Sequence, residues 1–289
     1  MRTDKDGHAA HRGRGDHGRP GPARPERAGA GPRRGAADPG AAGDFKHVSL
    51  ELGGKSPNIV FADADLDAAV NGAVSGIFAA TGQTCIAGSR LLVQESAHDE
   101  VVGGLVELAG TARMGDPMDE ATQVGPITTP TQYAKVLDYI EIARQEGARL
   151  VLGGKAADRG GWFVEPTVFT GVSNGMRIAQ EEIFGPVLSV IPFKDEDEAV
   201  EIANDSRYGL GAGVWTSDIS RAFRMADRIR SGTVWVNTYG AVSYLASFGG
   251  FKDSGIGHEN GIVALTSYLE DKTVWINTGA PAGNPFVLR

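Results

Sequence analysis

The sequence predicts an α/β fold with a mostly parallel sheet flanked by helices. Three observations predict it. From residue 45 onward, short β-branched runs alternate with amphipathic helical patterns. Aspartates stand where helices should begin. A helix, a glycine stop and a strand follow one another twice, at 131–152 and at 218–237.

In chain order, residues 48–52 read as a strand. Asp65 caps a helix whose apolar positions Leu66, Ala69, Val70, Ala73, Val74, Ile77 and Phe78 fall at i, i+3, i+4 spacing. That helix is expected to run out at Gly82, where a turn presents Cys85, and 89–94 follows as a strand. A helix over 131–146 stops at Gly147 before a strand at 149–152. Residues 187–193 form another strand. The acidic run from Asp195 to Glu198 suits the solvated first turn of a helix ending near Asp205, where carboxylates meet the positive end of the helix dipole, and it is read as a surface face with no specific role. Asp218 starts a helix with Ile219, Ala222, Phe223, Ala226 and Ile229 on one face, Gly232 ends it, and 233–237 supplies a buried-type strand. Residues 248–257 read as a glycine-rich loop. Residues 273–277 are expected to form a last strand with an edge open to another chain.

Composition bounds the function. The chain has 289 residues, 41% hydrophobic and 22% charged, enough for one sizeable core. Residues 1–44 contain no Val, Ile, Leu, Phe, Tyr or Trp and cannot offset the entropy of ordering their backbone, which predicts a disordered tail. The other 245 residues carry 19 basic and 30 acidic side chains, which argues against nucleic-acid binding. No apolar stretch approaches the roughly 18 residues of a membrane helix, so no membrane partner is expected and the location is expected to be cytoplasmic. A single cysteine fits a reducing compartment. His8, His11 and His17 sit where no fold can hold them, so no metal site is predicted, and the dinucleotide-like spacing of Gly13, Gly15 and Gly18 is a chance match for the same reason.

A lone cysteine is more often a small buried residue than a nucleophile. The small, polar Thr81-Gly82-Gln83-Thr84-Cys85, following an apolar helix, favours a sulfur that a substrate can approach. Such a thiol needs ionising or a nearby base, and Glu51 is the candidate base. Leu50-Glu51-Leu52-Gly53-Gly54-Lys55-Ser56-Pro57, followed by Gly82-Gln83-Thr84-Cys85, resembles the paired glutamate and cysteine signatures of the aldehyde dehydrogenase superfamily. Glu181-Glu182-Ile183-Phe184-Gly185-Pro186-Val187 resembles the segment with which that family grips the nicotinamide riboside, and Phe248 to Gly255 resembles its glycine-rich loop at the substrate mouth.

The resemblance covers residues 44–278 and implies a fold like that family's catalytic domain. It implies Cys85 as nucleophile, with its own backbone amide helping to hold the oxyanion, and Glu51 as the base that activates the hydrolytic water. It places Glu182 on the nicotinamide ribose, Phe184 near the ring, Gly53 on the cofactor side and Phe248 in the aldehyde pocket. Read without it, Glu182 is a surface carboxylate and both phenylalanines are core packing. The reaction implied is NAD- or NADP-dependent oxidation of an aldehyde through a cysteine thiohemiacetal and thioester; the alternative is a remnant without dehydrogenase turnover, at most thioesterase-like.

The implied organisation is a tail at 1–43, a remnant of the coenzyme domain at 44–53, a catalytic domain at 54–253, and a C-terminal helix with an oligomerisation strand at 254–289. The family is homo-oligomeric. Most of its coenzyme-binding half is not recognisable here, and the abrupt change near residue 44 is expected of a shifted reading frame or start. Strand 48–52 should then lack its sheet neighbours, the chain should be prone to aggregate, and turnover by the chain alone should be weak.

Overall fold

The computed structural model describes residues 47–280 together with 283, 284, 286 and 287. The expected tail at 1–43 and the readings on its glycines and histidines lie outside the described residues.

Seven strands make the main sheet in the order β4-β5-β6-β3-β2-β8-β9. They are β2 (Pro57–Val60), β3 (Arg90–Gln94), β4 (Arg149–Leu152), β5 (Thr167–Thr170), β6 (Val187–Phe193), β8 (Gly211–Trp215) and β9 (Thr233–Val236). Every neighbouring pair is parallel except β4 against β5. The sheet is covered on both faces, which is why its strands are apolar at successive positions. On one face Ile59, Leu92, Ile191 and Phe169 pack with α3 (Pro130–Gln145), α5 (Glu196–Asn204) and α6 (Ile219–Arg228). On the other, Val60, Leu91, Val93 and Val190 pack with α1 (Leu66–Phe78) and α2 (His98–Gly110). Among the described residues no helix is long and apolar enough to cross a membrane.

Helix starts follow the expected chemistry. Asp65 accepts from Ala68 N at 3.0 Å, Thr129 from Gln132 N at 3.2 Å, Asp195 from Glu198 N at 3.0 Å and Asp218 from Ser220 N at 2.8 Å. The acidic run at 195–198 is more than a solvated face. Glu196 accepts two hydrogen bonds from Arg224, at 2.9 and 2.8 Å, and Asp197 pairs with Arg228 at 2.7 Å, tying α5 to α6.

Six expectations need correction. α1 ends at Phe78, not at Gly82, because Ala80 and Thr81 take left-handed φ values of 48° and 59° that no α-helix can contain. In α6 the buried face is Ala222, Met225 and Ile229, while Ile219 and Phe223 are 67% and 73% exposed, because the helix turns its Met225 stripe toward the sheet. The glycine-rich stretch is not all loop: β10 (Phe251–Lys252) pairs with β7 (Tyr208–Gly209), and β11 (Gly255–Ile256) pairs with β1 (Leu50–Glu51). That last pairing also gives the 48–52 segment a neighbour. The expected C-terminal helix is a 3-10 helix, Ile262–Tyr268, with no buried residue. Residues 273–277 pair with no other strand among the described residues, and Trp275 is 92% exposed; β-type side chains do not make a strand without a partner to bond.

Candidate active site

Three parallel strands lie side by side in the order β6-β3-β2, with their amino ends at one edge of the sheet: Arg90, which opens β3, stands opposite Pro57, which opens β2, and opposite Ser189, two residues after the start of β6. The residues just before each strand therefore meet at one end of the sheet. Glu51 precedes β2, Cys85 precedes β3 and Glu182 precedes β6. Open α/β sheets usually place their sites at the carboxyl ends of strands, and this site gathers at the amino ends.

The Cys85 loop is held in a costly shape. Ala80, Thr81 and Gly82 are consecutive left-handed residues, with φ of 48°, 59° and 67°. Gln83 fixes the loop from one side, where its Nε2 donates to Pro126 O at 3.2 Å and its Oε1 accepts from Thr128 N at 2.9 Å. Gly82 fixes it from the other, since a Cβ there would lie 2.1 Å from Gly185 O. The sulfur is half-buried and free. Burial pushes the Cys85 thiol above the ordinary cysteine range; the N–H groups of Ile86 and Cys85 oppose this, and the charges of Glu182 and Glu51 add to it.

Glu51 sits on β1 with both carboxylate oxygens covered and without a hydrogen-bond partner among the described residues. Burial raises its pKa, and Glu259 raises it further. Glu182 is close by. Its Oε1 accepts from Gly54 N at 3.2 Å, and a Cβ on Gly53 would lie 2.1 Å from its Oε2. Gly54 in turn touches the Cys85 loop, where a Cβ would stand 2.5 Å from Cys85 O. Burial raises the Glu182 pKa, against the Gly54 N–H and the charges of Lys135 and Lys55.

The structure thus brings Cys85, Glu51, Glu182 and Gly53 together. Phe184 is on the same segment as Glu182, half-buried and left-handed at φ 59°. Phe248 stands one step away: it exchanges backbone hydrogen bonds of 2.7 Å with Glu259, the carboxylate that acts on Glu51.

Several residues beside this site escaped the sequence reading. Lys55 is 1% exposed and its Nζ has no partner among the described residues. Burial pushes it down to about 7, Arg90 and Lys135 act in the same direction, and Glu182 and Glu181 oppose them. Arg90, fully buried, donates to the carbonyls of Lys55, Ile202 and Ala203 and to Asn174. The only sequence signal was a lysine wedged between a glycine pair and the strand-opening Ser56-Pro57.

Comparison with known proteins completes the picture. The model of the aldehyde dehydrogenase family matches residues 36–274. That match begins inside the stretch that composition sets apart as a tail, because apolar content cannot separate a Gly/Ala-rich family segment from unrelated sequence. A betaine aldehyde dehydrogenase of Brucella anthropi is 50% identical over 240 residues, covering 81% of this chain and 49% of that protein. The solved structure of an indole-3-acetaldehyde dehydrogenase complexed with NAD+ is 51% identical, with a TM-score of 0.79 over 81% of this chain and 48% of that one. The NAD+ complex of an aldehyde dehydrogenase from Bacillus cereus is 48% identical, with a TM-score of 0.81 over 83% of this chain and 49% of that one. The chain spans about half the length of the relatives it matches. With the sheet, the strand-end cluster and these likenesses in agreement, the chain belongs to the aldehyde dehydrogenase family.

Proposed function

We propose that the chain carries the thiol, the base and the ribose-holding carboxylate of an aldehyde dehydrogenase that oxidises an aldehyde to a carboxylic acid with NAD or NADP. The observation that supports this best is the meeting of Cys85, Glu51 and Glu182 at the amino ends of three adjacent strands.

The residues fit a nicotinamide dinucleotide. Glu182 offers a carboxylate at a glycine cradle that any Cβ on Gly53 would fill, and one of its oxygens is already fixed by Gly54 N–H. Glu182 would accept from the ribose hydroxyls, Phe184 would pack near the ring, and Gly53 would leave room for the approach. When bound, the dinucleotide supplies the two-electron oxidant.

The protein's own residues do the rest. Cys85 attacks the aldehyde carbon, forming a C–S bond while the carbonyl electrons move to oxygen, where the Cys85 backbone N–H would help hold the charge. After oxidation the sulfur holds the acyl group as a thioester. Glu51, with no hydrogen-bond partner among the described residues and a raised pKa, takes a proton from water as that water attacks; the C–S bond breaks and the acid leaves. Phe248 would line the aldehyde side. Burial holds the Cys85 thiol above the ordinary cysteine range, so its attack needs a base to take the thiol proton, and Glu51 is the candidate for that too.

The test is titration with NAD, followed by aldehyde oxidation read at the reduced nicotinamide. Saturable micromolar binding supports the reading. Thioester hydrolysis that depends on Cys85 but proceeds with no nucleotide binding supports the remnant instead.

A further inference from the structure

We infer that one face of helix α3 (Pro130–Gln145) is a rail that shapes the segment 181–185, with Gln132, Lys135 and Tyr139 as positioning residues for Glu182 and Phe184. The cofactor part of this inference rests on the role proposed above for Glu182; the mechanical part does not.

The segment needs such a rail. It lies between the short helix α4 (Arg177–Gln180) and β6, so its carbonyls have no ladder of their own. It also contains Phe184 at φ 59°, a conformation that a bulky residue holds only when its surroundings enforce it.

α3 meets the segment residue by residue. Positions 132, 135, 136 and 139 share one helix face. The Tyr139 hydroxyl donates to the Glu181 carboxylate. Lys135 Nζ donates to Glu182 O at 2.8 Å. Gln132 Nε2 donates to Ile183 O at 2.7 Å and to Phe184 O at 2.9 Å. Val136 fills the space beside Gly185, where a Cβ would lie 2.4 Å from its Cγ2. Residues 181 to 184 thus meet helix positions 139, 135 and 132 in reverse order, and Gly185 returns to Val136 between them, all within less than three turns of helix. Arg177 holds the Glu181 carboxylate from the other side, at 2.8 and 2.9 Å, so that Glu181 is an anchor for Tyr139 and Glu182 is left to face the glycine cradle.

Two neighbouring glutamates therefore have opposite assignments. Arg177, chiefly, holds the Glu181 carboxyl below the usual carboxylate range, whereas burial raises that of Glu182. The anchor is charged and satisfied; the working carboxylate is kept in a tighter, drier place.

The experiment is hydrogen–deuterium exchange on the 289-residue chain without ligand, comparing the wild type with Gln132→Ala, Tyr139→Phe and Lys135→Met, and with Lys135→Arg as the conservative control. Amides of 181–187 should exchange at least about fivefold faster in the three variants and close to wild type in Lys135→Arg, while those of α1, on the opposite face of the sheet, stay unchanged. Unchanged protection at 181–187, or an equal rise in α1, overturns the rail. The same variants are then titrated with NAD. A several-fold weaker dissociation constant that follows the loss of protection supports the positioning role; loosened variants that bind NAD as tightly as wild type overturn it. A wild type that binds no NAD, together with the expected exchange pattern, removes the functional reading and leaves the rail standing.

Discussion

The amino ends of β2, β3 and β6 and the stretch 241–276 are two regions that treat apolar and charged residues in opposite ways. At the strand ends the protein half-buries a thiol and two carboxylates, fully buries the Lys55 amine, and surrounds them with glycines too close to a neighbour to carry a Cβ. In the other stretch, Tyr244, Leu245, Ile262, Tyr268 and Trp275 stay exposed, although such side chains ordinarily fill cores. Burial here is decided by what the sheet brings together, not by side-chain type. A polar group is enclosed where three strands converge, and an apolar one is left bare where nothing packs on it.

Removing the sulfur tests the first region most severely. Cys85→Ala should lower hydrolysis of an activated ester by about 10^3-fold or more, measured by nitrophenol release, since no other thiol exists in the sequence. Retained hydrolysis would place the nucleophile elsewhere.

Lys55 tests what enclosing a charge costs. Its folded-state pKa of about 7 lies below the ordinary 10.5, so below pH 7 the amine is protonated in both states and the fold bears the full burial penalty. As pH rises through 7 the folded amine becomes neutral, and the penalty is fully relieved only above the unfolded value. Lys55→Met should therefore raise stability by roughly 2–4 kcal/mol at pH 6, net of the lost attraction to Glu182, and by progressively less toward pH 10. Urea midpoints across that range check it, and a pH-independent effect would contradict the buried-charge account.

Gly82 tests the backbone of the same region. An alanine there must hold φ 67° and meet Gly185 O at 2.1 Å, so Gly82→Ala should cost about 2–3 kcal/mol by urea unfolding and slow alkylation of Cys85. The smallest effect belongs to the bare stretch. Changing Val274, Trp275 and Ile276 together to serine should alter stability by less than about 0.5 kcal/mol while reducing binding of a hydrophobic dye and raising solubility.

Legibility in the sequence divides along the same line. Capped helices such as α1, α5 and α6 were visible because an aspartate and a 3.6-residue period mark them locally. α2 was not, since Gly103 and Gly104 dilute its pattern, and neither was β8, whose Gly211 and Gly213 break a β-type run and make room instead for Trp235, Asn58 and Tyr239. Cys85, Glu51 and Glu182 were legible through their motifs. The residues that hold them, Gln132, Lys135, Tyr139 and Arg90, were not, because each acts on a backbone carbonyl or carboxylate distant in sequence and leaves no local pattern. The face of α6 was misjudged for a related reason: period alone does not say which of two apolar stripes meets the sheet.

If Glu51 and Cys85 serve one pocket, the fate of an acyl group on the sulfur must depend on Glu51. The chain and its Glu51→Gln variant are each mixed with an activated ester, and the peptide bearing Cys85 is followed by mass spectrometry. The acyl adduct should form on both and decay about 10^2- to 10^4-fold more slowly in Glu51→Gln, which keeps the shape of the side chain but cannot take the proton from water. Equal decay in the two proteins, or an adduct on neither, would contradict the shared pocket.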